Sequence, residues 1–163
     1  MLPETPTVLV VDDCEEDALL MRIVFERAGF LLPPQFVVDG DEAIAYLQGD
    51  GRYRDRAQHP LPSVILMDLN MPGKDGFEVL EWIRAQPAFK RLHVYILSAS
   101  NRTEDIERAY DLGANSYLVK PGTLAALEQM ASRLGAWMTL SRFAQPKKQE
   151  ERDFVRRANR TEA

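Results

Sequence analysis

Ser63-Val64-Ile65-Leu66-Met67-Asp68-Leu69-Asn70-Met71-Pro72-Gly73-Lys74-Asp75-Gly76-Phe77-Glu78 contains the most convincing strand in the chain and the start of the helix that follows it. Val64 to Met67 is a continuous apolar run, the pattern of a strand buried on both faces of a parallel sheet. Asp75 followed three residues later by Glu78 has capping-box spacing. The helix it opens is expected to run to about Gln86, where Pro87 stops it. An acid, Asp68, stands where the strand ends and the turn begins.

The same unit recurs on either side. Upstream, Val8 to Val11 reads as a strand ending in Asp12-Asp13. Glu15 to Ala28 carries Ala18, Leu19, Ile23 and Val24 at helical spacing, with Gly29 placed for a C-terminal cap. Gln35 to Val38 reads as a second strand and Asp41 to Leu47 as a short helix. Downstream, Val94 to Leu97 is a strand ending in Ser98, Thr103 to Leu112 is a helix ended by Gly113, and Ser116 to Val119 is a strand ending in Lys120-Pro121. A final helix is expected from about Thr123 to beyond Leu140. Five βα units predict the α/β class: a doubly wound, five-stranded parallel sheet, (βα)5, with right-handed crossovers and helices on both faces. Residues 48–62 form a long polar connection, expected to be functional or partly helical.

The chain has 163 residues and 18.5 kDa, which suits one domain with an appendage. The expected division is a domain over 5–140 and a charged C-terminal extension over 141–163. The net charge of −5 is unevenly placed: seven basic and four acidic residues make the extension +3 and leave the body at −8. An acidic body argues against nucleic acid as a partner. The single cysteine, Cys14, excludes an internal disulfide framework and a cysteine-rich zinc site, and His59 and His93 are too few for most histidine-based metal centres. Neither a signal peptide nor an apolar run of about 20 residues is visible, so no membrane association and a cytoplasmic location are expected.

In such a sheet, ligands gather beyond the C-terminal ends of the strands, where strand order reverses. Those ends deliver Asp12, Asp13, Asp68, Ser98 and Lys120. Each has an ordinary explanation alone: a helix cap for the acid pair, a turn residue for Asp68, a structural hydroxyl, a solvated lysine. Their convergence on one edge points elsewhere. Three carboxylates repel one another unless a cation sits among them, and an all-oxygen set selects a hard ion such as Mg²⁺. A carboxylate nucleophile, a divalent ion and an ammonium suit phosphoryl transfer. An aspartyl-phosphate phosphatase of the haloacid type is disfavoured, because Asp68-Leu69-Asn70 lacks the second acid of Asp-x-Asp.

These residues, together with Gly113-Ala114-Asn115-Ser116-Tyr117-Leu118-Val119-Lys120-Pro121, closely resemble the response-regulator receiver (CheY-like) family over about residues 5–140. The resemblance implies that Asp68 is the phosphoacceptor, that Lys120 pairs with the phosphoryl group, and that Ser98 hydrogen-bonds it. It implies Asp13 as the direct Mg²⁺ ligand, with Asp12 nearby or acting through water, and Asp68 and the backbone carbonyl of Asn70 completing the set. Ser98 and Tyr117 resemble the switch pair, and Asn70 and Ser100 occupy positions that tune hydrolysis. The Lys120–Pro121 bond is commonly cis in the family. The implied function is a phosphoacceptor signalling protein, not an enzyme beyond its own phosphorylation and dephosphorylation, with a sensor histidine kinase as donor. The alternative is a binding module on the same fold that works without phosphorylation.

The residues after position 140 are too few for a separate output domain, so a stand-alone receiver with its output on its own surface is expected. Asp68 to Gly76, loop 48–62 and the extended C-terminus look like the single-domain regulators paired with phytochrome-type histidine kinases. Members of that subgroup are often homodimers through the fourth helix, fifth strand and fifth helix. The last long helix places Leu124, Leu127, Ala131, Leu134 and Met138 on a core stripe, with Met130, Trp137 and Phe143 off it. That wide apolar set predicts a homodimer interface including Leu127, Met130, Leu134, Trp137 and Met138, the alternative being that the loop and tail cover it within the chain. The charged extension itself is expected to be a solvated helix.

Overall fold

Five parallel strands, β1 (Val8–Val11), β2 (Gln35–Val37), β3 (Val64–Met67), β4 (His93–Ser98) and β5 (Ser116–Val119), form one sheet in the order β2-β1-β3-β4-β5. The computed structural model describes residues 5–146 and 148–161. Six α-helices accompany the strands among the described residues: α1 (Glu15–Arg27), α2 (Gly40–Gln48), α3 (Gly76–Ala85), α4 (Thr103–Asp111), α5 (Leu124–Leu140) and α6 (Lys148–Thr161). Every residue of β1 and β3 is buried, as the uninterrupted apolar runs predict.

The pleat sends alternate side chains to opposite cores. Leu9, Val11, Ile65, Met67, Val94 and Ile96 join one apolar cluster with residues of α2, α3 and α4. Val8, Val10, Val64, Leu66 and Leu97 join the other with residues of α1 and α5. Val11 is in register with Val37 and Met67, so the chain leaves β1 and β3 side by side. Strand order reverses there, and the crevice for a ligand lies at that edge.

Local chemistry fixes the helix ends. Asp75 and Glu78 form the capping box that opens α3. The Asp39 side chain accepts from the Glu42 N–H to open α2 at Gly40, one residue before the start the sequence suggests, and the Thr123 hydroxyl accepts from the Ala126 N–H to open α5. Gly29, at φ 75°, follows the C-cap of α1.

Loop 48–62 is partly helical, with a 3₁₀ turn at Gly51–Tyr53, and it is packed rather than projecting. Tyr53 is buried against Tyr46 and His59, and the Tyr46 hydroxyl donates to the Pro60 carbonyl at 2.9 Å. The Arg56 guanidinium donates to the Tyr46 and Leu47 carbonyls, both at 2.8 Å, at the C-terminal end of α2.

The C-terminal extension departs from the expected solvated helix. Phe154 of α6 packs its ring against Trp82 at 6.1 Å and Phe89 at 5.0 Å, which docks α6 on α3 and the short turn Pro87–Phe89. The charges around Phe154 mask a single apolar anchor, so periodicity alone does not reveal the contact. Before α6, Phe143 joins His93, Tyr95 and Trp137 in an aromatic cluster at the N-terminal end of β4.

The predicted interface on α5 needs correction. Leu134 and Met138 are buried with Ala131 against β1, β3 and α1, and do not form a free face. Burying a side chain of this size contributes about 1.5–3 kcal/mol, so the fold itself claims that stripe. Leu127 and Met130 are half-buried against the same cluster, while Trp137, 39% exposed, leans on the His93 cluster. Among the described residues no helix is long and apolar enough to cross a membrane.

Candidate functional site

The end of β1 hands the chain to Asp12, whose N–H donates to the Val37 carbonyl and whose Oδ1 accepts from the Cys14 N–H at 2.9 Å. The end of β3 hands it to Asp68, whose N–H donates to the Val11 carbonyl at 3.0 Å. Asp68 Oδ1 accepts from the Asn70 N–H at 3.4 Å. Both aspartates are buried, whereas Asp13 is exposed. One carboxylate oxygen from each of Asp12, Asp13 and Asp68 lies within 4.8 Å of the others.

Lys120 leaves β5 with its N–H donating to the Ser98 carbonyl at 2.8 Å, and its side chain crosses to the acids. Its Nζ donates to Asp12 Oδ2 at 2.8 Å, Asp17 Oδ2 at 2.7 Å and Asp68 Oδ2 at 3.1 Å. Burial is the largest influence on this ammonium and works against its charge. The hydrogen bonds to Asp12 and Asp17 and the charge of Asp68 outweigh it, so the pKa is held above the ordinary lysine value. Lys120 is therefore cationic throughout the neutral range.

Close approach of α3 to the Asp68 turn depends on Gly76. Its N–H donates to the Leu69 carbonyl at 2.9 Å, and a Cβ there would sit 2.3 Å from the Asp68 carbonyl oxygen. No side chain fits, so a glycine opens α3 and lets its first turn lie against the acid.

Ser98 is fully buried at the end of β4, and its Oγ accepts from the Ser100 N–H at 3.3 Å. Tyr117 is half-buried, with its hydroxyl donating to the Ser100 carbonyl at 2.9 Å. The Ser100 hydroxyl in turn donates to Asp105 of α4. Ser98 and Tyr117 are thus tied to one residue, Ser100, at the β4–α4 turn.

Asp12, Asp13, Asp68 and Lys120 come together as the topology requires, and Ser98 adjoins them through its carbonyl, which accepts from the Lys120 N–H. Asn70 lies beside them, exposed. The peptide bond before Pro121 is trans, in contrast to the isomer implied by the resemblance. X–Pro isomers differ by only about 0.5–1 kcal/mol, so context decides between them. Asp17 and Gly76 were not legible as site residues. Asp17 stands with Glu15 and Glu16 in an acidic first turn, which a helix dipole explains by itself.

Comparison with known sequences settles the family: the sequence model of the response regulator receiver domain matches residues 8–132. The chain belongs to that family. The response regulator Rcp1 of Synechocystis is 37% identical over 123 residues, which cover 76% of this chain and 82% of Rcp1. Among solved structures, the receiver domain is similar to the phosphorylated cyanobacterial phytochrome response regulator RcpA, with 34% identity and a TM-score of 0.75 over 86% of this chain and 99% of that one. It is also similar to the response regulator RPA3017, in red light signaling of R. palustris, with 37% identity and a TM-score of 0.79 over the same shares. The Mn²⁺-bound form of Rcp1 aligns with a TM-score of 0.72 at 32% identity, over 85% of this chain and 99% of that one. The receiver is therefore related to phytochrome-associated regulators. Its acidic pocket is consistent with the divalent-ion site of receiver domains.

Proposed function

We propose that this receiver domain accepts a phosphoryl group on Asp68 from a sensor histidine kinase of the phytochrome-associated type, in a Mg²⁺-dependent reaction in the cytoplasm. The observation that carries this reading is the Lys120 ammonium bonded to both Asp12 and Asp68, with Asp13 completing a three-carboxylate cluster. The donor set fits a hard divalent ion: all oxygen, all at one edge, and more anionic than one lysine can balance. Asp12, Asp13 and Asp68 would hold it, with the carbonyl of Asn70 as the remaining protein ligand. When bound, the ion supplies positive charge to the oxygens of the transferring group.

The chain's own residues do the rest. An Asp68 oxygen attacks phosphorus, the bond from phosphorus to the donor's imidazole nitrogen breaks, and that nitrogen leaves with the electron pair and takes up a proton. Lys120 orients the acceptor and stays charged to pair with the new phosphoryl oxygens. The Ser98 hydroxyl hydrogen-bonds the group once it is in place. That shift disturbs the Ser100 turn, to which the Tyr117 hydroxyl is bonded, and so connects the added charge to β5 and α4.

The responding surface is the α4–β5–α5 face, where Tyr110, Val119 and Leu124 are exposed. A homodimer or another protein partner is expected there, with Leu127 and Met130 at its margin. Residues 5–140 act as the receiver and 141–163 as an appendage, whose α6 is braced on α3 through Phe154.

Intact-protein mass spectrometry after incubation with acetyl phosphate and Mg²⁺ tests the central step. One added phosphoryl group is expected, absent from Asp68→Asn and from a chelated control. If neither acetyl phosphate nor beryllofluoride alters the protein, the phosphorylation-independent binding module replaces this reading. Light scattering at tens of micromolar tests the dimer, and a monomeric mass would reject it.

A further inference from the structure

Asp17 has no part in the strand-end pattern, yet it makes the shortest of the three bonds to Lys120, 2.7 Å against 2.8 Å for Asp12 and 3.1 Å for Asp68. An ammonium has three protons, and here all three are committed to three different carboxylates. Two of those acceptors, Asp12 and Asp68, also belong to the cluster that can hold a metal ion. Asp17 lies outside that cluster, on the first turn of α1, and comes from a different element than the acids that flank it in space. Among the described residues its carboxylate bonds the lysine.

We propose that Asp17 is a positioning residue that anchors the Lys120 ammonium at the site while its bond to Asp68 is exchanged for one to a phosphoryl oxygen. This rests on the reading of Asp68 as phosphoacceptor. A lysine side chain has four rotatable carbon–carbon bonds and loses rotamer freedom when fixed. If its partners were only the two acids whose lone pairs an ion and a phosphoryl group also claim, each event at the site would loosen it. The bond to Asp17, held by a helix, keeps the ammonium in place through those events, while the long bond to Asp68 is the one free to exchange. Asp17 contributes position, and the chemistry remains with Asp68 and Lys120.

The test compares Asp17→Ala with Asp17→Asn. Both remove the same charge, and so alter the field on Mg²⁺ alike, but the amide oxygen of asparagine can still accept from Nζ. Asp17 is 39% exposed, so neither change leaves a core cavity. Phosphorylation by acetyl phosphate is followed by mass spectrometry, and the Lys120 Cε–Hε order parameter is measured by NMR with no donor present. Asp17→Ala should slow phosphorylation about tenfold, with a loosened Lys120, as small misplacements of a catalytic group do. Asp17→Asn should stay within about twofold of the parent in rate, with Lys120 still ordered. Equal slowing in both variants would replace the anchor with a charge effect. No slowing in either, or an unchanged order parameter in Asp17→Ala, would overturn it. If neither acetyl phosphate nor beryllofluoride alters the parent, the acceptor reading fails first, and the order parameter alone still reports whether the tether exists.

Discussion

At the C-terminal edge of the sheet, Asp12, Asp68 and Lys120 meet through charge, with more carboxylates than one ammonium can neutralise. At the N-terminal edge, His93, Tyr95, Trp137 and Phe143 meet through ring contacts, and Phe89 and Trp82 receive Phe154. Both edges are built on the same strands: β4 begins at His93 and ends at Ser98. One end holds like charges close together, a costly arrangement that a metal ion can relieve. The other end is apolar packing, which supports the sheet and holds the extension. Stability and reactivity are separated by the length of a strand.

Paired substitutions should separate the edges sharply. Phe89→Ala removes a ring that is 3% exposed and supports the start of β4, and should cost about 3–5 kcal/mol in urea unfolding. At a temperature where the variant is still folded, phosphorylation of Asp68 should be unchanged. Lys120→Met should cost somewhat less, about 3 kcal/mol, by leaving two buried carboxylates without their shared cation. Here phosphorylation should be lost, and the stability deficit should shrink with millimolar Mg²⁺. A Lys120→Met deficit insensitive to Mg²⁺ would mean that packing, not charge, governs that edge.

The two edges were also unequally legible. Strand ends in a (βα)5 pattern must converge, so Asp12, Asp13, Asp68, Ser98 and Lys120 could be placed together from their positions alone. Asp17 could not, because an acid in a helix's first turn satisfies the dipole whether or not it reaches a lysine. The aromatic edge was harder still. Periodicity says that Trp137 lies off the core stripe of α5, but not that Phe143 and His93 will close over it. The same blindness assigned Leu134 and Met138 to an interface, although they complete the core between α5 and α1. Phe154 was hidden in a run of charges, since one apolar residue carries no period.

Phe154→Ala sharpens the comparison with a smaller effect. Its ring is half-buried between Trp82 and Phe89, so its loss should weaken the docking of α6 by about 1–2 kcal/mol. With Trp137→Phe as background, Trp82 is the remaining one of the two tryptophans, and its emission should shift to the red as α6 leaves. The rate of Asp68 phosphorylation should not move. A change in that rate would show that the edges communicate through β3 and β4 and are not independent.

The smallest effect concerns His93, which sits at 5.9 Å from the Trp137 ring and 5.3 Å from Phe143. Its Nδ1 is buried with no hydrogen-bond partner among the described residues. Burial first, and then the charge of Arg84, holds its pKa below the ordinary histidine value of about 6.5. A depressed folded-state pKa means that the unfolded chain binds the proton first, so the stabilising contribution is complete above about pH 6.5 and declines as the pH falls through the folded value. With Trp82→Phe as background, Trp137 emission should be quenched over the same interval, as an imidazolium forms beside the indole. His93→Leu should remove the quenching step and flatten the loss of stability between pH 7 and 5. Parallel curves for the two proteins would place the acid sensitivity at the carboxylate edge instead, and the aromatic edge would then be indifferent to pH.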